Sequence, residues 1–403
     1  MIADPKISLA IDNCFASKRW TRPSDWMPMI KDMGITLVEA SADTECDPLY
    51  MGKDYTADWV DDVKRCSDRL GVRVVNLYSG HGTYATLGLA HTDDRVRIRF
   101  RDEWMKAQAD TARKLNAGLG FFAHAIHDPA LQEPLEYGKY TRRLYEDLAN
   151  LAEYASDIGL ASIGVEQMYS PHQPPWTRKG ARALLKAVYS LKKAPFYLTL
   201  DVGHMNGQQL FQKPAADQIE EWIDLKANEK VCPNVWVGPK RAMDVFVQAV
   251  AGSITRKHAI EKMQAIWEGY DYLFSEPQDS SVHLWLEEFS CFSPIIHLQQ
   301  SDGRSSPHWS FSPEFNEKGI IKADEVLRSI GAAYSREQEE GMPPVRNEIV
   351  LTLEPFIGTA GNNYDALEQI RQSVCYWRQF VPQDGMRLSD VLHRLPFCAA
   401  SQT

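Results

Sequence analysis

The 403-residue sequence predicts an α/β chain folded as one (β/α)8 TIM barrel over 1–403, with a helical insertion at about 206–282 after the sixth strand. Three observations lead there. Short β-branched runs recur eight times, each is followed by a longer stretch of helical character, and one spacing is far too long for a single unit. Repeated β-then-α units build a parallel sheet covered by helices.

The runs are ISLAID (7–12), ITLVEAS (35–41), VRVVNLY (72–78), LGFFAHAI (119–126), ASIGVEQ (161–167), FYLTLDVGH (196–204), PIIHLQQ (294–300) and IVLTLEPF (349–356). Several are apolar nearly throughout, as parallel strands are when both faces are covered. Pro23-Ser24-Asp25 opens the first helix, which carries Trp26, Met29, Ile30 and Met33 and closes at Gly34. Residues 55–70 end at Gly71 in the same way. Segments 93–116, 135–158, 178–192, 321–336 and 361–381 supply further helices. A doubly wound open sheet is the alternative, but its dinucleotide-binding form lacks a GxGxxG after the first strand.

The abnormal spacing is the 98 residues from Asp201 to Gln299. Within it lie the helical stretches AADQIEEWIDLKAN, AMDVFVQAVAGSI and KHAIEKMQAIWEGYDYLF, with breaks at Pro214, Pro233, Pro239 and Pro277. Loops after barrel strands emerge on the face where active sites lie. The insertion therefore either roofs the site or forms an oligomerisation surface, and a homo-oligomer is expected.

Composition narrows the classes. Hydrophobic residues at 44% are enough to bury a large core. Lys+Arg 44 against Asp+Glu 54 leaves a net charge of −10, which opposes nucleic acid as a partner. No stretch approaches the roughly 20 apolar residues a bilayer demands, so no membrane partner is expected. The N-terminal MIADPKISLAIDNCF lacks the pattern of a secretory signal. Seven scattered Cys without a CxxC pair read as reduced thiols, and a cytoplasmic location is expected.

Polar residues at the ends of barrel strands are the functional suspects. Glu166 ends strand five, Asp201 strand six and Glu354 strand eight, while Gln299 and Asp302 sit at the end of strand seven. Three carboxylates at one barrel mouth repel one another unless a cation lies between them. Oxygen-rich coordination suits Mg²⁺, Mn²⁺ or Co²⁺, with Zn²⁺ also compatible. Asp201-Val-Gly-His204 lets the chain turn so that the imidazole points back over the site. Asp12 and Asn13 after strand one, and Glu39 with Asp43 at strand two, are weaker candidates. Arg304, His308 and Trp309 lie in the loop after strand seven, where His308 is a substrate-contact candidate and Trp309 either stacks on a sugar or packs.

The strand-end Glu of IGVEQ, the Asp-x-x-His of LTLDVGH, the polar HLQQSD and the final LTLEPF together resemble the xylose-isomerase-like barrels, above all their ketose 3-epimerase branch. That superfamily holds sugar isomerases, epimerases, dehydratases and barrel AP endonucleases. The resemblance is best over about 160–360, the insertion aside. It implies one divalent metal held by Glu166, Asp201, a strand-seven residue and Glu354. Where the branch carries its second strand-seven His, this chain has Gln299, whose amide oxygen can ligate; His297, one step deeper on the same face, is the other candidate. The two-metal aldose isomerases carry a Lys where this chain has Met168, and an Asp-x-Asp pair absent after Asp302, so a hydride shift is disfavoured. The branch often has a Glu where His172 stands here. Proton transfer through an enediolate, with Glu166 and Glu354 as the acid–base pair, is the implied chemistry on a small carbohydrate, free or phosphorylated. A lyase such as a dehydratase, or a hydrolase, is the alternative on this scaffold. An AP-endonuclease-like repair enzyme is a further one: His81 and His124 lie where two of its zinc ligands fall, and are otherwise donors to substrate hydroxyls along with His204 and Asp302.

Overall fold

The computed structural model describes residues 3–17, 19–80, 86–232 and 234–396. The eight expected strands form: β1 (Lys6–Asp12), β2 (Leu37–Ser41), β3 (Arg73–Ser79), β4 (Gly118–Phe121), β5 (Ile163–Glu166), β6 (Tyr197–Asp201), β7 (Ile295–Leu298) and β8 (Glu348–Leu353). Each pairs in parallel with the next, and β8 returns to β1 with Lys6 opposite Glu348 and Ile11 opposite Leu353. The β1–β2 pairing through Ile11–Val38 and Asp12–Glu39 closes the barrel. A short β9 (Met386–Arg387) runs antiparallel to the start of β1. It covers the part of the β1 edge that β2 does not reach.

β4, β5, β6 and β7 are buried at every position, which is why they read as apolar runs without alternation. The helices fall where their end signals put them. The helix Gly52–Leu70 stops at Gly71, whose φ of 69° lets its N–H turn back to Ser67 O at 2.8 Å. The expected helix over 93–116 instead runs as Asp94–Arg99, a π-helical stretch Phe100–Met105 and Lys106–Lys114. Its Arg97 and Arg101 both reach the buried Asp147 on the helix Pro134–Asp157.

The connection from β6 to β7 holds the helices Ala216–Ala227, Lys240–Val250, Arg256–Trp267 and Val282–Phe289. The first three build a second core of Ile219, Ile223, Phe246, Met263 and Trp267, separate from the barrel core. That core also takes in Ile126, Ala130 and Leu131 from the segment after β4. Tyr270 and Tyr272 donate their hydroxyls to the carbonyls of Gln132 and Leu131, each at 2.8 Å, and Tyr272 stacks on Tyr137. The connection is thus fastened to the segment that follows β4. Among the described residues, no helix is long and apolar enough to cross a membrane.

Candidate active site

Five carboxyl groups from five strands gather at the strand ends. Asp12 closes β1, Glu39 lies within β2, Glu166 closes β5, Asp201 closes β6 and Glu354 follows β8. All are buried, none more than 5% exposed. His297 of β7 stands in their midst, with Nδ1 3.0 Å from Glu166 Oε1 and 3.3 Å from Glu354 Oε2, and Nε2 2.9 Å from Glu39 Oε2. Burial acts against its proton, but Glu354 and Glu39 outweigh it and raise the His297 pKa well above the ordinary histidine range. Tyr78 of β3 stacks edge-on against that ring and donates its hydroxyl to Glu166 Oε2. Asn76, two residues earlier on the same face, donates to Glu39 Oε1 at 2.6 Å.

The turn after β6 behaves as its sequence indicates. Asp201 Oδ1 accepts the N–H of Gly203 at 2.7 Å and of His204 at 3.2 Å. The His204 ring swings back, its Nδ1 3.1 Å from Gln167 O and its Nε2 3.6 Å from Asp201 Oδ2. Gly203 is glycine for want of room, because a Cβ there would lie 2.2 Å from Gln299 Cδ.

Gln299 turns its amide nitrogen toward Asp201, at 2.8 and 2.9 Å from the two carboxyl oxygens. Its oxygen accepts the His308 N–H at 2.7 Å and the Ser306 hydroxyl at 3.2 Å. His308 comes back from the loop beside it, stacked flat on Phe356 at 3.7 Å. Burial lowers the His308 pKa against the opposing pull of Asp201 and Glu166.

Burial pushes Glu354 well above the usual carboxylate range, and Asp201 and Glu166 add to the rise while His297 opposes it. Asp12 is raised by burial and then by Glu354 and Glu39. Burial acts against Asp201 too, but His204, His308 and His297 outweigh it and hold that carboxyl low. The buried Glu354 Oε2 lies 3.3 Å from His297 Nδ1 and 3.4 Å from His308 Nδ1 but accepts no aligned hydrogen bond among the described residues. An unsatisfied carboxyl oxygen amid so many others is the donor set a hard divalent cation takes up. Three groupings, Asp201 with His204 and His308, Glu166 with Asp201 and His297, and Asp12 with Glu39 and His297, each bring ligand atoms within 4.8 Å of one another.

Of the residues singled out from the sequence, Glu166, Asp201, Glu354, His204, His297, Gln299 and His308 come together here. His124 is buried, its ring against Phe100 and Phe122, with a φ of 57°. Asp302 receives the Arg304 N–H at 3.0 Å in the loop after β7, and Trp309 stacks on Phe315. His81 lies outside the described residues. Sequence reasoning missed Tyr78 and Asn76. Their signal was the period of two in VRVVNLY, which turns both toward the barrel interior.

Residues 28–235 match the model of the xylose isomerase-like TIM barrel family, and the chain belongs to that family. Over 107 residues it is 32% identical to D-erythrulose 1-phosphate 3-epimerase of Brucella abortus. That stretch covers 27% of this chain and 31% of the relative, so the match spans under a third of the curated protein's length. A candidate xylose isomerase of Rhodospirillum rubrum superposes with a TM-score of 0.65 at 16% identity, over 93% of this chain and 99% of that one. An L-ribulose 3-epimerase follows at 0.54 and 16%, over 98% and 99% of the two chains. At such identities the superpositions establish the fold.

Proposed function

We propose that this protein is a divalent-metal-dependent isomerase or epimerase of a small sugar or sugar phosphate, working by proton transfer. The observation that carries the reading is the approach of Glu166 and Glu354, from β5 and β8, to the same His297 nitrogen. Two carboxyl groups so placed flank a substrate lying across the mouth. The Brucella abortus relative, named as a sugar-phosphate 3-epimerase, supports the substrate class.

Glu166, Asp201 and Glu354 would hold the cation, with Mn²⁺, Mg²⁺ or Co²⁺ fitting the oxygen-rich set. When bound, the ion supplies electrophilic polarisation of the substrate carbonyl, which acidifies the neighbouring carbon. Glu166 then takes the carbon-bound proton and leaves an enediolate. Glu354 returns a proton from the other face, which inverts the centre. Tyr78 fixes the Glu166 carboxyl through its hydroxyl, and His204 hydrogen-bonds a substrate hydroxyl. Asp302 and His308 line the approach from the loop after β7. The helices between β6 and β7 roof the mouth on this reading.

A positioned acid or base contributes about 10²–10⁴ in rate. Glu166→Gln and Glu354→Gln should each lose at least that much in turnover of ketoses or ketose phosphates. Turnover in D₂O should place deuterium on the reacting carbon of the product. Complete retention of the substrate hydrogen means an internal hydride shift and sinks the mechanism. Metal analysis of protein purified without chelator should give about one equivalent, as for single-site carboxylate centres. Undiminished turnover after chelation removes the ion from the scheme.

A further inference from the structure

We propose that His308, carried on the loop after β7, is the nitrogen ligand of the divalent metal, a role the end of β7 itself does not fill. The inference rests on the metal site proposed above and concerns which side chain completes it.

Strand β7 offers two side chains at the right depth, and both are engaged. His297 has each ring nitrogen against a carboxylate, Glu166 Oε1 at 3.0 Å and Glu39 Oε2 at 2.9 Å. Each of its ring nitrogens is thus already directed at a carboxylate oxygen. Gln299 spends its oxygen on the His308 N–H and the Ser306 hydroxyl, and aims its nitrogen at Asp201. Turning the amide over would set oxygen against the Asp201 carboxylate and N–H against the N–H of His308, so the network fixes its orientation.

The loop then brings a replacement to the same spot. Gln300 and Trp309 exchange backbone hydrogen bonds at 2.8 and 3.2 Å, so the chain between them doubles back to the strand end. His308, next to that bridge, adopts a φ of 50°. A non-glycine residue in this left-handed region persists only where the surroundings impose it. Here they do: Gln299 Oε1 holds its N–H, its carbonyl takes the Phe356 N–H at 2.9 Å, and its ring lies flat on Phe356. His308 Nδ1 faces the Glu354 backbone carbonyl at 3.2 Å and donates to it. That leaves Nε2 as the lone-pair nitrogen, 3.3 Å from Gln299 Nε2, on a side chain that clusters with Asp201 and His204. An imidazole with its far N–H fixed on a backbone carbonyl is how metal-binding histidines are ordinarily oriented. The ligand has moved from the strand into the loop, and Gln299 holds that loop in place.

The test uses the full-length protein, stripped of metal and titrated with Mn²⁺. Wild type should bind Mn²⁺, and protein labelled with ¹⁵N-histidine should show imidazole nitrogen coupled to the manganese electron spin. His308→Ala should weaken Mn²⁺ binding at least about tenfold, the lower range for disturbing a metal's surroundings, and abolish that coupling. Metal-free melting curves identify any variant that has lost its fold. If His308→Ala does not fold, the wild-type coupling decides: its absence overturns the assignment. Coupling that survives in a folded His308→Ala, or an unchanged Mn²⁺ affinity, also overturns it. A wild type that binds no Mn²⁺, Mg²⁺ or Co²⁺ at all refutes the metal reading itself.

Discussion

Glu45, just past β2, is 1% exposed and accepts three side-chain hydrogen bonds. They come from Asn13 Nδ2 at 3.1 Å, Trp59 Nε1 at 2.8 Å and Trp26 Nε1 at 3.3 Å. Burial outweighs those donors and pushes its pKa from 4.5 up to about 7. The folded protein therefore binds this proton more tightly than the unfolded chain does. Its stabilising contribution is complete below pH 4.5 and is lost as pH rises through about 7. Across that window the loss is roughly 3 kcal/mol. Unfolding free energies of wild type minus Glu45→Gln, taken from pH 4 to 8, isolate the group from its neighbours. A difference that stays flat with pH contradicts the assignment. The carboxyl groups that end strands, Glu166, Asp201 and Glu354, were legible because period two and strand length fix where a strand stops. Tyr78 and Glu39 were harder to see, since interior barrel positions ordinarily fill the core. The orientation of Gln299 and the return of His308 depend on a loop's path, which residue pattern does not encode.

Turns and helices respond to glycine replacement with opposite signs. At Gly203, after β6, the backbone φ of −83° suits any residue, so the obstacle is purely steric. A methyl group there meets Gln299 Cδ, Oε1 and Nε2 at 2.2–2.5 Å and forces the amide off Asp201. Gly203→Ala should cost about 1–3 kcal/mol, as overpacking does, and lower turnover with it. Gly138, inside the helix Pro134–Asp157, has nothing within 4 Å of the same methyl. Gly138→Ala should stabilise by about 0.4–1 kcal/mol, so melting curves of the two variants should shift in opposite directions. Element positions were readable from apolar runs and from stop signals such as Gly34 and Gly71. The π-helical stretch at Phe100–Met105 was not, because the FRDEWM sequence carries ordinary helix formers throughout.

The β6–β7 helices were legible as helices, but their berth on the segment after β4 was not, because it rests on contacts between residues over a hundred positions apart. Tyr272 is the sharpest probe of that berth. Tyr272→Phe keeps the ring on Tyr137 and removes only the bond to Leu131 O, worth about 1 kcal/mol. Amide exchange should quicken in the helices Lys240–Val250 and Arg256–Trp267, while the slowest strand amides stay unchanged. Equal acceleration in β1–β8 would mean that these helices and the barrel open as one unit. The pairing of Lys6 with Glu348 also dictates an order of assembly. On the ribosome, the first strand emerges with one flank bare and must wait for the eighth. Until then the nascent sheet keeps an open edge, the feature that invites pairing with other chains. Asp12 and Glu39 are synthesised early and Glu354 late, so the crowding of negative charge is complete only once that edge has been sealed. Translation stalled short of β8 yields a sticky sheet that lacks the last of those carboxyls.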